Sequence, residues 1–524
     1  MSPGMWAVVV PAIAPAAALE ARVMDERALR ARQNGMGFDR AWAWPVAAGA
    51  ALWLGRHWAV QWAVRNLREE LQRTARTFMQ RFLSDPYKEN LWEFVSATRR
   101  PGPQIILENS LRAEHGALLH RPLGSPRRWP NLESLVFDVA QLARRPAAHD
   151  TPVDMAITLG PHARKPLHVE IPILVSGMAY GLALSRRAKI ALARGAALAG
   201  TASNTGEGPV LPLERQAAAK LIVQFNRATW SKELETLRQA DMVEIHFGQG
   251  ASTGVGGEVV GARSDPDLRR ALGVPPGRPA VIRSRHPELE TRSLKELVDE
   301  LRSLTGGVPI GVKLAPGRRL EADLEAALAA GVDVIALDGA QAATKGSPPI
   351  LQDDFGLPTL HALVRAVAFL EAKGVRGRVS LIVGGGLYTP GDFLKVLALG
   401  ADAVYIGTVA LFAISHGQVF KSLPWEPPTQ LVFFGGHQEH ELDVDEGAHR
   451  LANYLRAAAW EMAVAVRALG KTAVRDVSRE DLMALDELTA RICGVPVSYA
   501  AHPPPSVRRH RRTAGVLWSR KRED

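Results

Sequence analysis

The chain has 524 residues, 64 Lys and Arg against 54 Asp and Glu, a formal net charge of +10, and 47% apolar residues. That is enough chain, of globular composition, for one large barrel-sized domain with further segments. Its single cysteine, Cys493, excludes an intramolecular disulfide, a multi-cysteine iron–sulfur cluster and a CxxC redox pair, and fits a reducing compartment. Cys493 follows Ile492 on a helix-like segment and reads as a small buried apolar residue. No zinc-finger spacing or aromatic–basic RNA motif supports a nucleic-acid partner.

The chain opens on two apolar runs. Met5–Leu19 is interrupted by Pro11 and Pro15, and Ala41–Gly55 ends at Arg56 and His57. A membrane-spanning helix needs about 20 apolar residues, and both runs fall short. No positive segment precedes the first run, so a signal peptide is not expected. Trp42, Trp44, Trp53, Trp58 and Trp62 suit a membrane interface, and equally suit packing against a domain or a partner subunit. A charged helix is expected near Asn66–Leu83. Five segments follow from these patterns: an apolar element over 1–65 that is open to membrane contact, a mixed region over 66–165, a core domain over 166–430, a helical region over 431–501, and a basic tail over 502–524. The tail begins at Pro503-Pro504-Pro505, carries little to bury and reads as solvated.

From about Pro166 strand-like runs alternate with amphipathic helices, the mark of an α/β domain with a parallel barrel or a doubly wound sheet. Strands are expected at His168–Met178, Ala199–Asn204, Met242–Phe247, Val308–Leu314, Val332–Leu337, Val379–Val383 and Ala403–Ile406. Helices are expected at Ser185–Leu198, Leu211–Leu221, Leu294–Leu304, Ala322–Ala330, Thr359–Lys373 and Pro390–Leu399, with Gly447–Leu469 and Arg479–Ile492 closing the domain. Gly, Ser, Asn, Asp and Lys gather in the loops after the strands.

Within Val379–Thr408 one strand ends in Gly384-Gly385-Gly386, a helix starts at Thr389-Pro390, and the next strand ends in Gly407-Thr408. Glycines just past a strand let backbone N–H groups approach an anion, and a helix N-terminus adds a positive dipole end. Two such turns on consecutive strands form a phosphate site of the kind found on the last strands of a (β/α)8 barrel. No GxGxxG fingerprint opens a βαβ unit, which favours one terminal phosphate over a dinucleotide.

The strand ends carry an ordered set of blocks: Ser176-Gly177-Met178, Ser203-Asn204-Thr205-Gly206-Glu207-Gly208, Gly248-Gln249-Gly250-Ala251, Val312-Lys313-Leu314, Asp338-Gly339-Ala340 with Thr344 downstream, the triple glycine, and Ile406-Gly407-Thr408. Together they resemble the FMN-binding synthase domain of the glutamate synthase family, over roughly Pro166–Gln418. The resemblance implies an α/β fold, a (β/α)8 TIM barrel with an N-terminal apolar, helical extension and C-terminal helices, binding FMN at its mouth. Carried over, the flavin ring lies near Ser176, Gly177 and Met178, with Ser203 and Asn204 beside it. Gln249 and Lys313 face the ring, and the phosphate sits on Gly385, Gly386, Gly407 and Thr408. Lys313 would stabilise reduced, anionic flavin, or else make a structural ion pair. Glu207 would position a substrate ammonium or imine, or cap its loop. Asp338 would hold a ribityl hydroxyl or the loop itself, and His246 reads as a satisfied interior histidine. Lys313, Glu207 and Gln249 are the expected catalytic residues; no metal ligands are expected.

Two departures qualify the likeness. Leu411–Gln430 holds no cysteine where the family carries an iron–sulfur cluster, and the loop after Asp338 reads Gln341-Ala342-Ala343 where the family is acidic and glycine-rich. A stand-alone relative without a glutaminase domain is therefore expected. The leading expectation is an FMN-dependent oxidoreductase acting on CH–NH2 donors, moving a hydride at a C–N or C=N centre of an amino-acid-like substrate. 2-Oxoglutarate and glutamate are the family-level substrates. The expected partners are that small molecule, an external electron donor or partner subunit, and a second copy of the chain. The expected location is cytoplasmic, with membrane association left open. Two alternatives stand beside it: a flavin-binding subunit of a membrane-associated complex, and a non-catalytic barrel scaffold.

Overall fold

Eight parallel strands close into a barrel in strict chain order: β1 (Ile173–Val175), β2 (Ala202–Asn204), β3 (Lys220–Phe225), β4 (Met242–His246), β5 (Ile310–Leu314), β6 (Val334–Asp338), β7 (Ser380–Gly384) and β8 (Ala403–Ile406), with β8 pairing β1. The computed structural model describes residues 43–84, 92–259, 265–342 and 345–500. Helices follow the strands, among them Arg186–Leu198, Leu294–Leu304, Leu320–Ala329, Thr359–Ala372, Pro390–Ala398 and Thr408–Ser415. The fold is the expected (β/α)8 barrel.

Side chains alternate across each strand, and that alternation builds two cores. Outward residues such as Val243, Ile245, Val312, Ile335 and Val404 pack under the helices. Inward residues Leu174, Ala202, Ile222, Met242, Val334, Ala336, Ile382 and Ala403 fill the lower barrel. The antiparallel hairpin Ile157–Leu159 with Leu167–Val169 plugs the bottom, because Leu159, Leu167 and Val169 join that interior cluster. One step further up each strand the inward residues turn polar: Asn204, Gln224, Glu244, Lys313, Asp338 and Tyr405. The same period that fills the floor therefore sets these groups beneath the mouth.

Three expectations change. The run His168–Met178 is two elements, since Pro172 cannot donate to a ladder and separates the hairpin strand from β1. Leu211–Leu221 was expected as helix, but the helix is Pro212–Ala217, and Lys220–Phe225 is β3, the one barrel strand missing from the seven expected. The expected helix Arg479–Ile492 is a 3-10 turn (Arg479–Asp481), a short strand (Leu482–Ala484) paired with Leu135–Phe137, and a helix (Glu487–Cys493) restarted by the Asp486 cap. Cys493 is buried, and burial pushes its thiol up to about 11.

The chain divides into two units, 1–114 and 115–524, with the barrel in the second. In the first, Ala43–Ser84 is one helix of 42 residues, so the composition change near residue 65 falls inside a continuous element. Trp58 and Trp62 on it are 69% and 61% exposed. Among the described residues no helix is long and apolar enough to cross a membrane. Residues 1–42, the tail from 501, and Ala343 and Thr344 lie outside the described residues.

Candidate active site

A cavity of about 1160 Å³ opens at the C-terminal ends of the strands, which is more than the roughly 300–1,000 Å³ of a single small-ligand site. Ser176, Gly177 and Met178 after β1, Glu207 after β2, Gln249 after β4, Asp338 at the end of β6, Gly385 and Gly386 after β7, and Gly407 and Thr408 after β8 all line it. Ten residues expected from separate blocks of sequence thus share one cavity. Ser203, Asn204 and Lys313 do not line it; they are buried just beneath.

Lys313 is 0% exposed, with Nζ 3.4 Å from Asp338 Oδ2, 3.5 Å from Ser176 Oγ and 5.4 Å from the centre of the Tyr405 ring. Its charge reaches the cavity through Asp338 and Ser176. Beside it sits a buried network that the sequence blocks did not reveal. Glu244 Oε1 accepts from Asn204 Nδ2 (2.9 Å) and Gln224 Nε2 (2.8 Å), while Oε2 accepts from the Tyr405 hydroxyl (2.9 Å). Burial and the Glu244 carboxylate push the Tyr405 phenol well above its usual range. A Cβ on Gly177 would fall 2.8 Å from both Asn204 Oδ1 and Gln224 Nε2, so only glycine lets the Ser176–Met178 segment lie on this network. Ser203, between inward Ala202 and Asn204 on β2, faces the helix side, and its buried Oγ has no partner among the described residues.

Glu207 is held by two cationic or ring groups on one oxygen. Arg227 Nη2 and His246 Nδ1 each stand 2.9 Å from Oε1. Burial alone would raise the carboxyl, but His246 and Arg227 bring it down to about 2, so Glu207 is ionised at neutral pH. Oε2 has no partner among the described residues. His246, read from the sequence as a satisfied interior histidine, stands at ion-pair distance from Glu207. Arg227, three residues past Gln224, carried no motif that would have singled it out.

On the opposite wall, Gly385 and Gly386 have φ of 109° and 68°, values that side chains other than glycine rarely adopt. The helix that follows is capped by its own side chains. Thr389 and Asp392 form a capping box, and the Asp392 carboxylate accepts from the N–H groups of Tyr388 and Thr389. The terminus left open is that of Thr408–Ser415, whose cap residue, Gly407, brings no side chain. Gln341 also belongs to this wall. Its Oε1 accepts from Thr359 N (2.7 Å) and lies 2.9 Å from the Thr359 hydroxyl, which is itself 2.8 Å from Gly385 O. The altered loop therefore caps the helix Thr359–Ala372 with a neutral amide and ties it to the glycine turn.

A family model described as a conserved region in glutamate synthase matches residues 146–472. The chain belongs to the glutamate synthase family. It is 34% identical over 402 residues to a glutamate synthase large subunit-like protein of Rhizobium meliloti, covering 72% of this chain and 90% of that one. It is 31% identical over 339 residues to an archaeal-type glutamate synthase [NADPH] of Thermotoga maritima, covering 63% of this chain and 66% of that one. Among solved structures, an (S)-mandelate dehydrogenase chimera aligns at 16% identity and a TM-score of 0.44, covering 67% of this chain and 88% of the other. This member of the glutamate synthase family keeps its polar groups on the mouth side of the barrel. Among its described residues no group of three or more His, Cys, Asp or Glu could hold a metal ion.

Proposed function

We propose that the protein is an FMN-dependent oxidoreductase that adds or removes a hydride at a C–N or C=N carbon of an amino-acid-like substrate. Glutamate formation from 2-oxoglutarate and ammonia is the family-level form of that reaction. The observation that carries the reading is the layout of one cavity: open glycine turns after β7 and β8 and, next to them after β1, Ser176–Met178 with Lys313 buried below. The residues present fit a flavin mononucleotide. Gly385, Gly386, Gly407 and Thr408 offer backbone donors and an open helix end to a phosphate, and no Cβ stands on the three glycines to obstruct it. Bound there, FMN would supply the hydride chemistry, with electrons drawn from a soluble carrier or a partner subunit.

The chain's own residues would do the rest. Lys313 would place positive charge behind Ser176, where it favours an anionic reduced ring. Glu207, ionised and immobilised through Oε1, would hold a substrate ammonium or iminium on Oε2. It would act as a fixed charge and not as a proton donor, because its carboxyl lies far below neutrality. Gln249 would orient the ring or the substrate from the loop after β4. Family membership supports an oxidoreductase, and the cavity volume leaves room for a second ligand beside a mononucleotide. The test is reconstitution with FMN, anaerobic reduction, and mixing with 2-oxoglutarate and ammonium. Reoxidation of the flavin with equimolar glutamate supports the reading; reoxidation that needs neither compound overturns the substrate assignment.

A further inference from the structure

Of the described residues that line the mouth cavity, Lys345 is the only lysine or arginine. The charges beneath the cavity are already matched: Lys313 with Asp338 at 3.4 Å, and Arg227 with Glu207 at 2.9 Å. Lys345 forms no ion pair among the described residues. Its Nζ donates to Phe434 O at 2.5 Å and lies 5.5 Å from the centre of the Phe433 ring. Burial lowers its pKa, offset in part by the charge of Glu439, whose Oε2 accepts from Gly435 N at 2.9 Å. An ammonium has three donors, and a single neutral acceptor leaves most of that capacity unused in a half-buried place, where charge is costly without a partner.

Just past Lys345 the chain is tied down. The Ser347 hydroxyl donates to Ala251 O, and Gln352 Nε2 donates to Ser347 O (2.9 Å) and Arg121 O (2.7 Å). His120 Nδ1 donates to Gly346 O at 2.6 Å. The cation is therefore held ready at the cavity wall. Other parts of that wall are apolar: Leu182, Val259, Ile282 and Phe434. Such surroundings strengthen recognition of a single anionic group and suit a methylene or ring body in the ligand.

We propose that Lys345 binds a carboxylate of the substrate, so that the cavity takes an organic acid anchored on the loop after β6. That its reacting carbon then faces Ser176–Met178 rests on the FMN reading above; the carboxylate site itself does not. The same ammonium chemistry could instead serve the phosphate of the cofactor, and the experiment separates the two sources.

Calorimetric titration of glutarate, 2-oxoglutarate and phenylacetate into FMN-reconstituted wild type, Lys345→Gln and Lys345→Arg tests this, with FMN affinity measured on each. We expect saturable binding of at least one acid to the wild type. Lys345→Gln should weaken it roughly 10- to 100-fold, as for loss of a charged hydrogen bond. Lys345→Arg should restore most of it, and FMN affinity should change less than about twofold. The proposal is overturned if no acid binds the wild type, if Lys345→Gln binds the acids unchanged, or if Lys345→Gln weakens FMN as much as the acids. A wild type that retains no FMN sinks the cofactor reading alone; the acid titration repeated on that protein still judges Lys345.

Discussion

Glu207 follows β2 and His246 ends β4, on either side of β3, and the two meet with Oε1 2.9 Å from Nδ1. Arg227 completes the contact with a side chain only 2% exposed. Removing the carboxylate charge strands a buried guanidinium. Glu207→Gln should therefore destabilise the fold by on the order of 3 kcal/mol and abolish turnover with ammonium as co-substrate. The pH dependence has a definite sign. A carboxyl lowered from 4.5 to about 2 contributes stability that is complete above 4.5 and is lost as pH falls toward 2. Denaturant midpoints of the wild type and variant should differ by a constant amount near neutrality and converge in acid. A gap that persists unchanged down to about pH 2 would show that the Glu207 carboxylate does not carry it.

Lys313→Met should lower the reduction potential of bound FMN. Losing a cation near the ring costs on the order of 1–4 kcal/mol, and roughly 30 mV corresponds to about 1.4 kcal/mol for a two-electron couple, so the expected drop is tens of millivolts. The Asp338 carboxylate, left without its partner at 3.4 Å, adds to the effect. Lys313→Arg should restore the potential in part. An unchanged potential with a lower melting temperature would assign Lys313 a structural role.

Gly407→Asp and Gly385→Asp should both abolish FMN retention, but only the first is a clean test. A Cβ at Gly407 meets nothing within 4 Å, whereas one at Gly385 would lie 2.8 Å from Thr359 Oγ1 at a φ of 109°. We expect Gly407→Asp to keep the melting temperature of the apoprotein and lose FMN through repulsion of its phosphate. Gly385→Asp should lose both. Unaltered FMN affinity in Gly407→Asp would place the phosphate elsewhere.

Tyr405→Phe removes one of three donors to a carboxylate that is 0% exposed. A destabilisation of about 1–3 kcal/mol follows, the usual cost of an unmet buried acceptor. Equilibrium urea unfolding measures it; a change below the error of that experiment would show that Glu244 does not depend on the phenol.

The barrel was legible because its β-branched runs recur at steady spacing, as in Val379–Val383 and Ala403–Ile406. β3 was not: it follows almost directly on Pro212–Ala217, and its start, Lys220 and Leu221, was joined by periodicity to that helix. The cavity-lining glycines and Glu207 were visible because they sit in dense loops just past strands. Lys345 was not, since its meaning lies in the absence of a partner, a property of side chains far apart in sequence. Arg227 and Tyr405 were hidden for the same reason. The capping box at Thr389 and Asp392 was written in the sequence.

The most direct measurement is the visible spectrum of the purified protein after incubation with FMN and gel filtration, with the mass of the released chromophore. One equivalent of FMN, bound with a flavin spectrum and absent from Gly407→Asp, is the expected result. A colourless protein after reconstitution, or one that releases FAD, contradicts the assignment of the barrel mouth as an FMN site.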